Sequence, residues 1–196
     1  MKKINEIFHS LQGEGFHTGT AAVFVRFSGC NLSCPFCDTN HSSGKMMSDD
    51  DIVSEIVRIR HGATLIILTG GEPSLFVDDI LLEKIHAIES GIVIAIETNG
   101  THPLPEGIDF VTLSPKDQFV ENVEVVLAKC SELKLVYPGS DPSRYCHIVC
   151  EHRFLQPCDS GNPRVNRANM AATVAYIKEH PQWRMSLQTH KILNID

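Results

Sequence analysis

The sequence predicts an α/β fold: a partial (incomplete) barrel of mainly parallel strands with few helices. Short apolar runs recur along the chain, and amphipathic segments separate several of them. This alternation is typical of parallel sheets, in which a helix carries the chain back to the start of the next strand. A closed eight-unit barrel takes about 250 residues, and the chain has 196. We therefore expect one domain over residues 1–196 with a curved, open sheet.

The strands are predicted from short runs of apolar and β-branched residues, which indicate strands covered on both faces. These runs are Ala22–Phe27, Leu65–Leu68, Ile92–Ile96, Phe110–Leu113, Leu133–Val136 and Ser186–Gln188.

Three helices are predicted from apolar residues that recur every three or four positions. The first begins near Ser48, an N-cap residue followed by three aspartates that suit the positive end of a helix dipole. The second runs from about Asp78 to Ser90 and ends at Gly91. The third runs from about Arg167 to Glu179, before Pro181.

Composition excludes several classes of protein. The formal net charge is -7, which does not fit a general nucleic-acid binder with its basic face. No run approaches the roughly 18 apolar residues of a membrane span. The first residues are polar and carry no leader signal. We therefore expect a cytoplasmic protein that binds neither nucleic acid nor membrane.

The cysteines point to a metal site. Seven cysteines without a secretion signal argue against a disulfide framework. Cys30, Cys34 and Cys37 form a C-x3-C-x2-C loop, which His41 could complete as a closed zinc site. The same three thiols could instead hold a four-iron cluster with one iron left open. A second cluster is a weaker alternative for Cys146, Cys150 and Cys158, and Cys130 is predicted to lie in the core.

Polar and glycine-rich residues follow each predicted strand. They are Ser28-Gly29-Cys30, Thr69-Gly70-Gly71-Glu72-Pro73, Glu97-Thr98-Asn99-Gly100, Ser114-Pro115-Lys116 and Gln188-Thr189-His190. Ligands of parallel α/β folds bind at the carboxyl ends of the strands. The sequence therefore predicts one shared site at that edge, where Gly70 and Gly71 let a ligand approach the backbone.

The cysteine loop after the first predicted strand, followed by Gly70-Gly71-Glu72-Pro73 after the second, resembles the radical S-adenosylmethionine superfamily. The resemblance implies a radical SAM-like fold and a [4Fe–4S] cluster held by Cys30, Cys34 and Cys37. S-adenosylmethionine would bind the open iron, and one electron would cleave it to methionine and a 5′-deoxyadenosyl radical. The resemblance favours an iron–sulfur cluster over the closed zinc site.

Further motifs resemble the 7-carboxy-7-deazaguanine synthase family over nearly the whole chain. They are Ser10-Leu11-Gln12-Gly13-Glu14-Gly15, Arg26-Phe27-Ser28-Gly29-Cys30-Asn31-Leu32, Cys37-Asp38-Thr39, Glu97-Thr98-Asn99-Gly100, Ser114-Pro115-Lys116, Leu155-Gln156-Pro157 and Ser186-Leu187-Gln188-Thr189-His190-Lys191. The implied reaction converts 6-carboxy-5,6,7,8-tetrahydropterin to 7-carboxy-7-deazaguanine with loss of ammonia, in the synthesis of queuosine precursors. It is a ring contraction that regenerates S-adenosylmethionine.

The residue types fit that substrate. Arg26 offers a planar fork for the substrate carboxylate, and Glu14 suits the donor-rich edge of the pterin. With the resemblance, the predicted substrate-binding residues are Leu11, Gln12, Gly13, Glu14, Arg26, Thr69 and His190.

The resemblance also implies cofactor-binding residues and partners. The residues expected to bind S-adenosylmethionine are Phe36, Cys37, Asp38, Gly71, Ser114, Pro115, Lys116 and Gln156. Thr39 would be the single protein ligand of a Mg²⁺ ion, which accepts few protein oxygens. The expected partners are a flavodoxin-like or ferredoxin-like electron donor and a second copy of the chain. The competing functions are a glycyl-radical activating enzyme that acts on a protein and a zinc-binding interaction module.

Overall fold

A computed structural model describes residues 1–37 and 39–195 of the chain. Nine strands form one sheet in the order β3-β1-β2-β4-β5-β6-β7-β8-β9, and the sheet does not close into a barrel. The strands are β1 (Lys2–Leu11), β2 (Ala21–Phe27), β3 (Lys45–Met47), β4 (Leu65–Gly70), β5 (Val93–Thr98), β6 (Phe110–Leu113), β7 (Lys129–Tyr137), β8 (Val149–Pro157) and β9 (Arg184–Met185). The helices are α1 (Asp49–Ile59), α2 (Asp79–His86), α3 (Pro163–Glu179) and α4 (Thr189–Leu193).

The strand direction confirms the predicted fold class. Strand β1 is antiparallel to both of its neighbours, β2 and β3. The pairs from β2 to β9 are all parallel. The carboxyl ends of seven of the described strands, β2 and β4–β9, therefore face one edge of the sheet, as the sequence predicts.

Four described strands, β1, β3, β8 and the short β9, were not predicted from the apolar runs. Strands β1, β3 and β8 carry polar residues within them, such as Asn5, Glu6 and His152. Such residues interrupt the continuous apolar signal that the prediction relied on.

The strand predicted at Ser186–Gln188 is wrong. The last strand is the two-residue β9, and the segment after it continues into α4. The amide and hydroxyl of Thr189 both donate to the Gly13 carbonyl, at 3.0 and 2.9 Å. The loop after β1 thus holds the start of α4, while the Ser186 amide still donates to the Leu155 carbonyl of β8 at 2.9 Å.

The three longer helices lie where they were expected, with small shifts at their ends. Ser48 caps α1 in a capping box with Asp51, which satisfies backbone donors at the first turn. Asp78 caps α2, which ends at His86, short of Ser90. Helix α3 starts at Pro163, earlier than expected, because Asn162 caps it and proline is favoured at the first helical position. Among the described helices, none is long and apolar enough to cross a membrane.

The core lies mainly on the outer face of the sheet. Helices α1 and α2 bury Ile52, Ile56 and Ile85 against β2, β4 and β5. Helix α3 covers a second apolar cluster around Leu135 and Trp183.

The inner face of the sheet is divided along the strands. A smaller apolar cluster (Ala22, Phe24, Leu65, Ile67 and Ala95) fills it near the strand starts. Because side chains alternate along a strand, Arg26, Thr69 and Glu97 continue the inner rows toward the carboxyl ends. The apolar layer thus forms a floor, and the polar residues form a site above it.

Candidate active site

A cavity of about 850 Å³ opens at the carboxyl ends of the parallel strands. The structure brings nearly all of the predicted site residues to its wall. These are Leu11, Gln12, Gly13, Glu14, Arg26, Cys30, Cys34, Phe36, Cys37, Thr39, Thr69, Gly71, Ser114, Lys116, Gln156 and His190. Pro115 is buried and does not line the cavity, and Asp38 lies outside the described residues. Motifs spread along the chain from Leu11 to His190 therefore share one site.

The cysteine loop follows β2 and lies on one side of this cavity. The Cys37 amide donates to the Cys34 carbonyl at 3.1 Å, and the Leu32 amide donates to the Cys30 sulfur at 3.4 Å. Burial raises the pKa of both Cys30 and Cys34, and the other cysteines of the loop add to this effect. The nearby Lys116 ammonium acts in the opposite direction on both thiols. A cationic metal group would favour the thiolates in the same way.

The donor set fits an iron–sulfur cluster. Three thiols on one loop line a cavity that is large enough for a small-molecule cosubstrate, and thiolates are the usual ligands of such clusters. Within residues 1–37 and 39–195, no three His, Cys, Asp or Glu side chains form a group that could hold a single metal ion. The closed zinc site with His41 is therefore not formed among the described residues.

The glycine-rich turn after β4 packs directly on the cysteine loop. The Gly71 amide donates to the Phe27 carbonyl at 3.1 Å, and the Glu72 amide donates to the Gly29 carbonyl at 2.9 Å. A Cβ on Gly71 would overlap the Gly29 carbonyl oxygen and lie 3.1 Å from the Cys30 Cβ. Glycine is required at position 71 because the two backbones touch.

Glu72 fixes this turn to the next strand. Its carboxylate is 1% exposed. It accepts from the Thr98 hydroxyl at 2.6 Å, the Asn99 amide at 2.8 Å and the Ser74 amide at 3.1 Å. The Asn99 side chain in turn donates to Asn31 of the cysteine loop at 3.1 Å. A charge-assisted network thus connects the ends of β4 and β5 to the predicted cluster ligands.

Lys116 extends into the same cavity from the loop after β6. Its ammonium donates to the Ser114 carbonyl and hydroxyl, both at 2.6 Å. Burial lowers the pKa of Lys116 to about 8, and Cys34 is the largest influence that raises it. A partly desolvated ammonium of this kind attracts an anionic group.

Phe36 and Thr39 lie on the cavity wall beside the cysteines. The Phe36 ring meets the Phe119 ring edge to face at 4.6 Å between centroids. An aromatic face held in this way can stack on a planar base. Thr39 also lines the cavity.

A network of buried charges occupies the far side of the cavity. The Lys134 ammonium lies 2.5 Å from Glu14 Oε2 and 3.5 Å from Glu97 Oε1. Gln12 and Thr69 both donate to Glu97, at 3.0 and 2.8 Å. Gln156 donates to Glu14 at 3.1 Å. Sequence reasoning assigned no role to Glu97 or Lys134, although each is a charged residue in or at the end of a predicted apolar strand.

The contacts and elements that place Arg26 and His190 at the cavity were not predicted from the sequence. The Arg26 Nε donates to Glu6 Oε1 at 2.7 Å, and its guanidinium lies 5.4 Å from the centre of the Phe8 ring. His190 belongs to α4 and not to a strand end. A Cβ on Gly13 would overlap the His190 imidazole, so glycine at position 13 lets the imidazole approach the loop.

The remaining cysteines lie outside the cavity. Cys130 and Cys158 are buried, Cys150 is half-buried and Cys146 is exposed. Cys130 lies in the apolar cluster beneath α3, as predicted. Cys146, Cys150 and Cys158 do not line the cavity, and a second cluster on them stays a prediction.

Comparisons with known proteins agree with this site. Residues 24–126 match the radical SAM superfamily. The chain is 53% identical to a 7-carboxy-7-deazaguanine synthase of Bacteroides thetaiotaomicron, over all of this chain and 99% of that protein. It is 42% identical to the enzyme of the same name from Bordetella pertussis, over 98% of each chain.

The chain belongs to the 7-carboxy-7-deazaguanine synthase family of radical SAM proteins. Its fold resembles the crystal structure of QueE from Escherichia coli with a TM-score of 0.73. The two sequences are 27% identical, and the match covers 95% of this chain and 93% of the other. The resemblance stated from the motifs is thereby confirmed.

Proposed function

We propose that this chain is a carbon–nitrogen lyase that converts 6-carboxy-5,6,7,8-tetrahydropterin to 7-carboxy-7-deazaguanine with release of ammonia, in queuosine precursor synthesis. The observation that carries the proposal is one cavity that combines the three-thiol loop with a polar wall of carboxylates and amides. Full-length relatives named for this product support it. The activating-enzyme alternative is not favoured.

Cys30, Cys34 and Cys37 would hold the [4Fe–4S] cluster. When bound, the cluster supplies the electron that cleaves S-adenosylmethionine and starts the radical reaction. Glycine at position 71 lets the turn after β4 pack directly on the backbone of the cysteine loop, and both segments line the cavity where the cosubstrate would bind. We assign S-adenosylmethionine binding to Phe36, Cys37, Asp38, Gly71, Ser114, Pro115, Lys116 and Gln156, of which Gln156 also donates to Glu14.

The opposite wall would hold the pterin. Glu14 would present its carboxylate oxygens to the donor-rich amino-pyrimidinone edge, with Gln12 beside it. Arg26 lines the cavity and would bind the substrate carboxylate there. Its contact with the half-exposed Glu6 uses the Nε atom of the guanidinium. We assign substrate binding to Leu11, Gln12, Gly13, Glu14, Arg26, Thr69 and His190.

Further features are proposed from the family and from single residues. Thr39 would supply one hydroxyl to a Mg²⁺ ion, which keeps most of its ligands as water and substrate oxygens. We also propose a cytoplasmic homodimer with a single radical SAM domain over residues 1–196. A flavodoxin-like or ferredoxin-like protein would reduce the cluster.

The test is an anaerobic assay of the reconstituted protein with the carboxypterin, S-adenosylmethionine, Mg²⁺ and a reductant. We expect a product whose mass is lower than that of the substrate by one ammonia, formed over many turnovers for each S-adenosylmethionine. A reaction that cleaves S-adenosylmethionine and leaves the pterin intact would reject the proposal. A parallel assay without Mg²⁺ tests whether the reaction needs the ion that we propose at Thr39.

A further inference from the structure

The buried charge network contains one cation surrounded by carboxylates. Lys134 lies on β7 and is 6% exposed. Its ammonium contacts Glu14 and Glu97, which we call the carboxylate pair. Burial alone would lower the pKa of Lys134, but Glu14, Glu97 and Glu132 together raise it. The lysine is therefore charged throughout the physiological range of pH.

The carboxylate pair lines the cavity from two different elements. Glu14 lies in the loop after β1, and Glu97 lies on β5. Each oxygen of the pair already accepts one protein donor at 2.5–3.1 Å. A carboxylate has about four lone-pair sites, so each retains acceptor capacity toward the cavity. Two carboxylates that share one site do not both ionise readily without a nearby cation.

We infer that Lys134 is a positioning residue for pterin recognition, which keeps the carboxylate pair ionised and directed at the amino-pyrimidinone edge of the substrate. The inference rests on the proposed function, because it takes the pterin as the ligand. The part of the ligand that the pair recognises is an uncharged amino-pyrimidinone ring, whose exocyclic amine and ring N–H are both hydrogen-bond donors. Lys134 acts through the carboxylates that enclose it.

A purely structural role is the competing explanation. Glu132, also on β7, is 1% exposed and does not line the cavity. It accepts from the Phe16 amide at 2.6 Å, and burial raises its pKa while Lys134 lowers it. Lys134 could therefore serve only to neutralise Glu132. The charged and titratable groups that face the network are Glu14, Glu97, Glu132, Lys116, Arg26 and His152.

The experiment is a double-mutant cycle on the reconstituted protein, read by anaerobic calorimetry with the carboxypterin. We compare Lys134→Met, Glu14→Gln and the double variant. Lys134→Met is expected to weaken pterin binding at least tenfold at pH 7, and S-adenosylmethionine binding is expected to stay unchanged. In the Glu14→Gln background the same lysine change is expected to cost less than threefold, because contacting residues are not additive.

The pH dependence gives a second readout. In Lys134→Met, Glu97 loses the ammonium that lowers its pKa, while burial still raises that pKa, so pterin binding should strengthen as the pH rises from 6 to 8. The wild type should bind with nearly constant affinity over that range. An equal effect of Lys134→Met in both backgrounds, or a flat pH profile in the variant, would overturn the inference.

Two further variants control for folding. Glu132→Gln alone should leave pterin affinity unchanged. The pair Glu132→Gln and Lys134→Met removes one negative and one positive charge together, and it should fold but still bind the pterin at least tenfold more weakly. Restored affinity in that pair would show that Lys134 only neutralises Glu132. If the wild type does not turn over the carboxypterin, the proposed function is rejected. The ratios of pterin affinity between the variants and the wild type decide the inference about Lys134.

Discussion

Glu72→Gln should destabilise the fold by an amount that its hydrogen bonds determine. The Glu72 carboxylate is buried and accepts three donors. In the best amide orientation, the carbonyl keeps the bonds from Ser74 and Thr98, and the new NH2 group faces the Asn99 amide. The loss is one charge-assisted hydrogen bond, worth about 1.5–3 kcal/mol, and an opposed buried donor that costs about 1–3 kcal/mol.

The expected total is roughly 4 kcal/mol. For a chain of this length, that lowers the melting temperature by about 10 °C. The assay is thermal unfolding of the reduced protein followed by circular dichroism, with Glu83→Gln on the exposed face of α2 as the matched control. We expect no resolvable change in the control. A shift of less than about 3 °C in Glu72→Gln would refute the view that this carboxylate secures the turn to β5.

Three other changes test separate parts of the site. Gly71→Ala should lower the iron and sulfide content by more than about half, because its methyl would overlap the Gly29 carbonyl; a full cluster in this variant would contradict the close contact. Arg26→Lys should raise the KM for the carboxypterin about tenfold, because lysine lacks the bidentate fork; the exposed Arg58→Lys is its control, and an unchanged KM would contradict the assignment. The pKa of Asp159 is lowered to about 2 by its hydrogen bonds from Lys191, Gly161 and Asn166, so its contribution to stability is complete above about pH 4 and is lost as the pH falls toward 2. In acid unfolding, Asp159→Asn should therefore lose stability less steeply than the wild type between pH 4 and 2, and parallel curves would contradict this.

The parallel core of the fold could be predicted from the sequence because its strands are continuous apolar runs. Strands β2, β4 and β5 are buried on both faces and show this pattern directly. Helix α1 combined a capping box with a regular apolar face. Each of these signals is local, so one stretch of sequence is enough to show it.

The rest depends on contacts between distant segments. Strand β8 is half polar: Gln156 lines the cavity, and His152 stacks on Phe16 of the loop after β1. Lys134 is the one charged residue of the predicted strand Leu133–Val136, and its partners Glu14 and Glu97 lie 120 and 37 positions away in the sequence. The register of the sheet and the loop after β1 bring these three residues together, so the charge network could not be predicted.

The central claim is that Cys30, Cys34 and Cys37 hold an iron–sulfur cluster in the cavity that binds the substrate. The most direct measurement is metal and sulfide analysis of the anaerobically reconstituted wild type beside a Cys34→Ala variant. We predict about four irons and four sulfides per chain in the wild type and a marked loss of both in the variant. About one zinc per chain without sulfide, unchanged by loss of Cys34, would contradict the account.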